Sequence, residues 1–470
     1  MGYAVAEREQ TATLPLDGKV LVVGLGKTGL SCARFLSKKG LQVAVTDSRD
    51  NPPGLEAVRE EMPELPLFLG GFNPSAFESA DCLVVSPGLS LNEGVIGDAW
   101  KRGVPVVGDI ELFARYADAP VVAITGSNGK TTVTTLLGEM AKEAGIKVAV
   151  GGNIGEPALD LLDKGAELYV LELSSFQLDT TETLSPGVST VLNVSADHMD
   201  RYPSFDAYAA SKAGIYRYAD KRVFNGDDPQ VMKMADVRPG DVIFALREPG
   251  DNEYGIRQES GKTWLCRGDE KLLTADELLI PGWHNIANAL AATALADLMG
   301  ISAEAQLKVL RRFRGLPHRS QLVAEHNGIR WYNDSKGTNV GATAAALDGL
   351  VAGDGRVILI AGGDCKGAEF ADLVAVAERT TRTLILIGRD AEMIEEVMQG
   401  HVEVDHAADM DQAVEKAAVH ARPGDCVLLS PACASFDMFD NYMHRGDVFC
   451  RAVENYLESH SDGGGRGEVS

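Results

Sequence analysis

VVAITGSNGKTT, residues 121–132, places a glycine-rich loop between an apolar strand pattern and a helical pattern. A loop in this context is typical of a nucleotide phosphate site, because its N–H groups and the following helix dipole point at the phosphates. Lys130 is predicted to neutralise the β and γ phosphate oxygens, and the hydroxyl of Thr131 to reach Mg²⁺. Ile124 stands where the usual motif has glycine, so we expect Thr125-Gly126 to make the first turn. The loop predicts ATP binding.

Outward from this loop, apolar runs alternate with helical patterns, which predicts parallel sheets covered by crossover helices. Strands are predicted at 20–23, 43–45, 83–85, 104–107, 121–124, 168–173, 188–194, 357–360, 384–387 and 427–429. The helix after the loop is predicted to align one apolar face, made of Val133, Leu136, Leu137, Met140 and Ala144. Residues 241–280 predict a small antiparallel sheet, and 285–299 a helix that ends at Gly300.

The length and composition of the chain limit its possible classes. At 470 residues it predicts about three domains, and its net charge of -24 opposes a nucleic-acid partner. The first residues lack a signal-peptide layout, and no membrane span is predicted, so we expect a cytoplasmic protein. Seven cysteines without a Cys-x-x-Cys pair indicate buried small hydrophobes. The Gly-rich tail at 460–470 is predicted to be disordered.

A second glycine-rich turn, Gly24-x-Gly26-x-x-Gly29, follows the first predicted strand, and Asp47 ends the next one. This layout is typical of dinucleotide binding, so an NAD-dependent oxidoreductase is one interpretation. The same geometry cradles any diphosphate, including that of a uridine-diphosphate substrate, and a packing role for the glycines is a further alternative. Two phosphate turns in one chain favour a two-substrate transferase or ligase.

Three further residues of the central part are candidates for metal and phosphate chemistry. Glu172 ends a predicted strand, where a carboxylate is well placed to hold Mg²⁺; a solvated acid is the alternative. His198 lies in Ala-Asp-His-Met-Asp-Arg, 196–201, after another strand. Lys212, from composition alone, reads as a solvated helix residue.

The motifs together resemble one family, the Mur ligases of peptidoglycan synthesis, from about Lys19 to Leu457. The motifs are TGSNGKTT at 125–132, GGNIG at 151–155, LELSSFQL at 171–178, ADHMDRY at 196–202, HNIANALAA at 284–292, GLPHR at 315–319, NDSKGTN at 333–339, GGDCKG at 362–367 and SPACASFDMF at 430–439. The resemblance implies a three-domain α/β chain: a Rossmann-like domain (1–112), a central phosphate-loop ATPase-like domain with a mostly parallel sheet and a small antiparallel sheet (113–315), and a Rossmann-like C-terminal domain (316–470).

For the D-glutamate-adding members, the resemblance implies that D-glutamate is joined to the alanine carboxylate of UDP-N-acetylmuramoyl-L-alanine, with ATP converted to ADP and phosphate. An acyl phosphate and then a tetrahedral intermediate would gather negative charge, so two Mg²⁺ ions and several cationic side chains are expected. We expect a monomer that closes around its substrates.

The resemblance also implies roles for individual residues, grouped here by ligand. ATP and metal residues are Gly126, Ser127, Asn128, Gly129, Lys130, Thr131, Thr132, Glu172, Asn285, Asn288, Arg319, Asp334 and Lys336. UDP-substrate residues are Gly26, Thr28, Ser48, Arg49, Ser86, Asn153 and His198. D-glutamate residues are Thr338, Lys366, Ser435, Phe436 and Tyr442, the last standing where the family has Phe. The catalytic residues are Lys130, Glu172, His198, Lys212 and Lys366, and the metal ligands are Thr131, Glu172, His198 and Lys212. Lys212 stands at the position that the family carbamylates.

Other interpretations remain open from the sequence. A Mur-superfamily ligase for another amino acid, or a folylpolyglutamate synthetase, would share many of these motifs, although the DNPR motif of diaminopimelate-adding members is absent. An NAD-dependent oxidoreductase would leave Lys130 without a role. A nucleotide-gated binding or signalling protein would keep the phosphate loop but need no amino-acid pocket.

Overall fold

The computed structural model describes residues 18–91, 94–280, 282–350 and 355–460. The predicted disordered tail, apart from His460, lies outside these described residues. The chain forms two compact units, each discontinuous in sequence: Met1–Ile243 with Ala292–Gln306, and Phe244–Ala291 with Leu307–Ser470. The three domain boundaries expected from the sequence stay predictions.

The first unit opens with a parallel five-stranded sheet, in the order β3-β2-β1-β4-β5. Its strands are β1 (Lys19–Val23), β2 (Gln42–Asp47), β3 (Leu67–Leu69), β4 (Cys82–Val85) and β5 (Val106–Val107). The helices of this part are α1 (Lys27–Lys38), α2 (Leu55–Glu61), α3 (Pro74–Glu78), α4 (Gly94–Lys101) and α5 (Asp109–Tyr116). The four strands predicted here are confirmed, with shifts of a few residues at their ends.

Burial on both faces explains the continuous apolar run of β1. Val20 packs in the same cluster as Leu36 of α1, whereas Leu21 packs on the opposite face in a cluster with Phe77 of α3. Successive side chains of a strand point to opposite faces, so a strand with helices on both sides needs apolar residues at every position.

The central sheet of the first unit has five parallel strands in the order β10-β9-β6-β8-β7. The strands are β6 (Val121–Thr125), β7 (Val148–Gly152), β8 (Leu168–Glu172), β9 (Val188–Val191) and β10 (Lys221–Asn225), followed by the short β11 (Val242–Phe244). The helices are α6 (Lys130–Glu143), α7 (Ser175–Leu178), α8 (Phe205–Ala213) and α9 (Pro229–Met234), with 3₁₀ turns at Ala158–Leu161 and Gly214–Tyr216.

Two details of the central predictions were wrong. Ala144 does not belong to the buried face of α6: it is the exposed C-cap, and Met140 is the last of the five predicted residues in the core. The strand predicted to reach residue 194 ends at Val191, because Asn193 turns its side chain to the phosphate loop.

The second unit contains an antiparallel set of strands, as predicted for 241–280: β12 (Glu253–Glu259), β13 (Lys262–Arg267) and β14 (Glu270–Thr274). A 3₁₀ turn at Ala275–Glu277 follows, then α10 (Trp283–Leu298) and α11 (Ala303–Arg312), both of which cross the division between the units. The helix predicted over 285–299 is therefore confirmed, with its first turn two residues earlier.

The last sheet of the second unit has the order β15-β16-β20-β17-β18-β19. Its strands are β15 (Gln321–His326), β16 (Ile329–Asn333), β17 (Val357–Gly362), β18 (Thr381–Ile387), β19 (Glu403–His406) and β20 (Cys426–Leu429). Its helices are α12 (Val340–Leu350), α13 (Ala371–Thr380), α14 (Ala391–Met398), α15 (Met410–His420) and α16 (Tyr442–His460). All neighbours pair in parallel except β15 with β16, so the carboxyl ends of β16, β20 and β17 lie side by side. Across the described ranges, no helix is both long and apolar enough to cross a membrane.

Candidate active site

The phosphate loop is held by a second loop that follows β9. Asn193 accepts a hydrogen bond from the N–H of Asn128 at 2.8 Å and returns one to the Asn128 carbonyl at 3.1 Å. Ser127 Oγ donates to the carbonyl of Ser195 at 2.9 Å and contacts the hydroxyl of Tyr208 at 3.0 Å. Gly129 then caps α6 with a left-handed φ of 81°, which glycine adopts without steric cost. These bonds fix the curvature of the loop.

Two lysines converge on one carbonyl of that loop. Lys130 Nζ donates to Gly126 O at 2.7 Å, and Lys212 Nζ donates to the same oxygen at 3.0 Å. Lys212 is 2% exposed and lies over the ring of Tyr208, so its interpretation as a solvated helix residue was wrong. Burial lowers the pKa of Lys212 well below its ordinary value, and the charge of Lys130 lowers it further, against the opposing effect of Asp197. The amine therefore has an increased neutral fraction.

Glu172 is buried at the end of β8, with 2% of its surface exposed, so it is not the solvated acid that was the alternative. One carboxylate oxygen accepts from Thr131 Oγ1 at 2.8 Å, and the other accepts from Asn153 Nδ2 at 3.0 Å. Thr131 belongs to the phosphate loop helix, whereas Asn153 follows β7. Glu172 thus joins two segments that the sequence analysis assigned to different ligands.

His198 lies in the segment after β9 and has an unusual backbone. Its φ is 57°, a left-handed conformation that is uncommon outside glycine and concentrates at functional sites. Its ring packs 5.0 Å from the ring of Phe176, and its Nε2 is 3.6 Å from Asp197 Oδ2. Burial lowers the pKa of His198, with Lys130 and Lys212 acting in the same direction and Asp197 and Asp200 opposing. A neutral imidazole is the form that can accept a proton or a metal.

The second phosphate turn opens into a cavity of about 550 Å³. Six of the seven residues implied for the UDP substrate line this cavity, and His198 is not among the lining residues. The six are Gly26, Thr28, Ser48, Arg49, Ser86 and Asn153. Gly26 is also the N-cap of α1, so the helix dipole and the first N–H groups point towards the cavity.

The Asp47 carboxylate accepts its hydrogen bonds from groups of the same chain. Its carboxylate accepts two hydrogen bonds from the Arg49 guanidinium, at 2.8 and 2.7 Å, and one from the N–H of Leu25 at 2.7 Å. Burial opposes ionisation, yet these hydrogen bonds hold the pKa of Asp47 at about 2. In dinucleotide-binding folds the equivalent acid binds a ribose hydroxyl. Here the acid already bonds groups of its own chain, and it positions Arg49 at the cavity.

The glycines of this turn divide into two kinds. A Cβ on Gly29 would lie 1.8 Å from the carbonyl oxygen of Gly24, so the alternative of a packing role is correct for Gly29. A Cβ on Gly26 would meet no atom within 4 Å. Packing within the described chain therefore does not explain Gly26, and its position at the cavity does.

In the second unit, the residues expected to hold D-glutamate follow adjacent strands. Thr338 lies after β16, Ser435 and Phe436 lie after β20, and Lys366 lies after β17. The Nζ atom of Lys366 is 5.5 Å from the Phe436 ring centroid. Lys366 has a left-handed φ of 48°. Open α/β sheets bind ligands at this edge, so the structure brings the predicted pocket residues to one suitable place.

The ATP residues expected in the second unit form a neighbouring group. Asp334 is buried, accepting from Ser430 Oγ at 2.7 Å and from the N–H of Ser320 at 3.0 Å. Burial raises the pKa of Asp334 to about 6, and the charge of Arg319 partly opposes this. Lys336 Nζ lies 4.1 Å from the ring centroid of Tyr442 at the start of α16.

Asn285 and Asn288 lie one turn apart on α10 and are both buried. Asn288 Nδ2 donates to Asn285 Oδ1 at 3.3 Å. The second unit contains both asparagines together with Arg319, Asp334 and Lys336, whereas the first unit contains the loop at 126–132. That both groups bind one ATP stays a prediction.

Two residues that build these sites, Gln177 and Arg445, were not predicted from the sequence. Gln177 lines the diphosphate cavity and donates through Nε2 to the buried Asp109 at 3.0 Å. Arg445 is 1% exposed and donates to Ser335 O at 2.8 Å and to Cys433 O at 3.1 Å. Gln177 stands in the quoted LELSSFQL motif, which was a usable signal. Arg445 has no such signal, because the sequence does not distinguish a buried arginine in a helix from an exposed one.

Oxygen donors suited to Mg²⁺ are present at the phosphate loop. Thr131 Oγ1 and Glu172 Oε2 are hard ligands 2.8 Å apart, and Mg²⁺ binds nucleotides through one or two protein oxygens, water and phosphate. The described residues contain no cluster of three or more His, Cys, Asp or Glu at metal-binding distances. The oxygens of Thr131 and Glu172 therefore fit an ion that is carried with a nucleotide, and their role as its ligands stays a prediction.

The fold and the two glycine-rich turns are typical of an α/β enzyme that uses ATP, and the second turn opens into a cavity of its own. Three family profiles match the chain in order: "Mur ligase MurD-like, N-terminal domain" at 18–108, "Mur ligase middle domain" at 124–296 and "Mur ligase, glutamate ligase domain" at 318–433. The chain belongs to the Mur ligase family of ATP-dependent amide ligases. The resemblance stated from the motifs is thereby confirmed.

Individual relatives support the same placement. The chain is 52% identical over 438 residues to a protein of Nitrosococcus oceani named UDP-N-acetylmuramoylalanine--D-glutamate ligase, covering 93% of this chain and 96% of that one. A protein of Marinobacter nauticus with the same name is also 52% identical, with coverages of 93% and 98%. The solved structure of a UDP-N-acetylmuramate-alanine ligase from Thermotoga maritima shares the fold, with a TM-score of 0.59 at 20% identity, over 94% of this chain and 100% of that chain.

Proposed function

We propose that this enzyme joins D-glutamate to the alanine carboxylate of UDP-N-acetylmuramoyl-L-alanine and converts ATP to ADP and phosphate. One observation carries the proposal: Glu172 accepts hydrogen bonds from Thr131 of the phosphate loop and from Asn153 of the diphosphate cavity. A nucleotide and a second diphosphate substrate would therefore meet at one carboxylate. The names of the relatives at about half identity support this choice of amino acid.

The side chains have distinct parts in the reaction. Lys130 neutralises the γ-phosphate while the substrate carboxylate attacks it, and the product of this step is an acyl phosphate and ADP. His198 lies beside the attacked group and orients it. Lys366 in the second unit holds a carboxylate of D-glutamate, whose amine attacks the acyl carbon and displaces phosphate. The nucleotide is held by Asn285, Asn288, Arg319, Asp334 and Lys336. The amino-acid pocket is completed by Thr338, Ser435, Phe436 and Tyr442.

We propose that two Mg²⁺ ions accompany the reaction, one held by Thr131 and Glu172 and one near His198 and Lys212. When bound, they supply positive charge that stabilises the transferring phosphoryl group. Lys212 is proposed to be carbamylated, since a buried amine with a lowered pKa has the neutral form that reacts with CO₂. The carbamate converts a cation into a metal-directed carboxylate.

Substrate omission tests the main proposal. ADP and phosphate release should require both UDP-N-acetylmuramoyl-L-alanine and D-glutamate, because the acyl phosphate turns over only when the amine displaces phosphate. Lys130→Ala should abolish release, whereas Lys142→Ala, an exposed lysine on the same helix, should retain it. Equal turnover with L-lysine or diaminopimelate, or steady turnover with either substrate omitted, would refute the assignment.

Lys212→Ala tests the carbamate. The variant should lose at least about 100-fold in kcat, since charge stabilisation of this kind contributes several kcal/mol. Excess bicarbonate should not restore activity, whereas formate or acetate should restore part of it by replacing the missing carboxylate. In ¹³C-bicarbonate, wild type should show a carbamate NMR signal that Lys212→Ala lacks and Lys142→Ala keeps. Full activity of the unsupplemented variant would contradict the proposal.

We also infer that the enzyme works as a monomer in the cytoplasm, in support of cell-wall synthesis and cell division. Its proposed nucleotide substrates belong to that compartment. Light scattering after size exclusion should give a mass near 50.1 kDa. A mass twice that value would contradict the monomer.

A further inference from the structure

Two cysteines of the second unit contact each other beside the proposed amino-acid pocket. Cys365 follows β17 and Cys433 follows β20, and their sulfur atoms are 2.6 Å apart although both are free thiols. Cys365 is 4% exposed and Cys433 is 1% exposed. Lys366 comes directly after the first of them, and Ser435 lies two residues after the second. The pair therefore joins the two loops that carry these residues.

The backbone places the two cysteines opposite each other. The N–H of Asp364 donates to Ala434 O at 3.0 Å, and the N–H of Ala434 donates to Asp364 O at 2.9 Å. This antiparallel bridge makes Cys365 and Cys433 the next, non-hydrogen-bonded pair. Such pairs have Cα atoms about 4.5 Å apart, within the range that a disulfide spans. A bond between the sulfurs therefore needs little movement of either loop.

We propose that Cys365 and Cys433 are a reversible redox pair, oxidised by hydrogen peroxide to a disulfide that ties the two loops together. Cys365, the more exposed thiol, attacks one peroxide oxygen, and the O–O bond breaks to give a sulfenic acid and water. Cys433 then attacks the sulfenic sulfur, forms the S–S bond and releases a second water. Two electrons pass from the thiols to the peroxide, and the two thiol protons end in the two waters. Cytosolic disulfides, where present, are usually transient or redox-sensing.

The surroundings set the rate of this reaction. The hydrogen bond with Cys365 and burial raise the pKa of Cys433, so the thiolate that must attack is scarce at neutral pH. Formation should therefore be slower at pH 7 than at pH 8.5, where the thiolate fraction is larger. Cys426 is a matched control within the same sheet: it is 3% exposed, but its sulfur contacts the carbonyl oxygen of Leu350.

Thiol counting tests the disulfide without reference to enzyme activity. After peroxide treatment and denaturation, free thiols should fall from seven to five, and a peptide linking Cys365 to Cys433 should appear and disappear with dithiothreitol. Cys365→Ser should stay at six thiols, whereas Cys426→Ser should fall from six to four. Retention of seven thiols in wild type, or a sulfinic acid at Cys365 without the linked peptide, would overturn the proposal.

The consequence for binding rests on the proposed function and is measured separately. A disulfide would fix the two loops that carry Lys366 and Ser435 relative to each other, and a displacement of a fraction of an ångström at a positioning residue costs on the order of tenfold. In fully linked enzyme, kcat/KM for D-glutamate should fall by about that factor, while the KM for ATP stays within about twofold. Unchanged D-glutamate kinetics in linked enzyme would overturn the effect on the pocket. Failure of the D-glutamate assignment itself would show as no turnover in the reduced enzyme.

Discussion

Asp334 is a buried carboxylic acid without a cationic hydrogen-bond partner among the bonds found in the described residues, and its replacement by asparagine should stabilise the protein. Its oxygens accept from the Ser430 hydroxyl and the Ser320 N–H, and an asparagine can keep the second bond through its own oxygen. Burial raises the pKa of Asp334 from 3.8 to about 6. Folding therefore works against the ionised form of this side chain.

The pH dependence follows from the direction of this shift. The folded pKa lies above the unfolded value, so the stabilising proton is fully bound below pH 4 and lost as the pH rises through 6. At 1.36 kcal/mol per unit, the ionised acid costs up to about 3 kcal/mol at pH 8 and about half of that at pH 5. Asp334→Asn should recover most of this difference at pH 8 and less at pH 5. Its ATPase activity should fall, because we place Asp334 in the nucleotide site.

Urea unfolding at pH 5 and pH 8 measures this effect. Tryptophan fluorescence reports mainly on the second unit, which contains Trp264, Trp283 and Trp331, while Trp100 lies in the first. A gain at pH 8 equal to the gain at pH 5, or no gain at either, would refute the reasoning.

Asp425→Asn is the reference variant, because its effect on stability is expected to have the opposite sign. Burial alone would raise the pKa of Asp425, but hydrogen bonds from Arg382 and from the N–H groups of Arg356 and Arg422 hold it below its usual range. A depressed pKa gives stability that is present near neutrality and lost as the pH falls. Asp425→Asn should therefore destabilise the protein at pH 8 and do so less at low pH.

Two further substitutions separate packing from ligand binding at the diphosphate turn. Gly29→Ala should lower the thermal unfolding midpoint by several degrees, because its Cβ would overlap the Gly24 carbonyl. Gly26→Ala should lower the midpoint by less, because only the N-cap of α1 is affected, and should raise the KM for the UDP substrate about tenfold. Equal loss of stability in both would contradict this division. Asn153→Ala removes a hydrogen bond to a carboxylate and a wall of the cavity, so the KM for the UDP substrate should rise on the order of tenfold, with a smaller change for ATP. An equal rise in both KM values would count against a cavity-specific role.

Strand positions were predictable where burial on both faces demands continuous apolar residues, as in β1 and β6. The phosphate loop was predictable because its function restricts residues that are adjacent in sequence. Ala144 was misplaced because helical periodicity continues past Glu143, whereas the chain turns at the Gly145 that follows. Apolar spacing contains no information on where a cap is formed.

The candidate site depended more on long-range contacts. Lys212 is buried because α8 packs it against Gly126, which lies 86 residues away in sequence; its other contact, Tyr208, is one turn earlier on α8 itself. The bond between Asn153 and Glu172 likewise depends on the sheet, which places the residue after β7 beside the end of β8. Motif resemblance named these residues, but their exposure and partners required the fold.

Glu172 also has a thermodynamic consequence. A ligand that displaces the Thr131 hydroxyl removes one hydrogen bond from Glu172 and so changes the carboxylate that Asn153 also bonds. A ligand that displaces Asn153 changes the same carboxylate and so affects its bond with Thr131. The free energies of occupancy at the two turns are then linked, and linkage is reciprocal: each ligand alters the affinity of the other by the same factor. Through this carboxylate, the affinity for one substrate can thus depend on whether the other is bound, before any bond is broken.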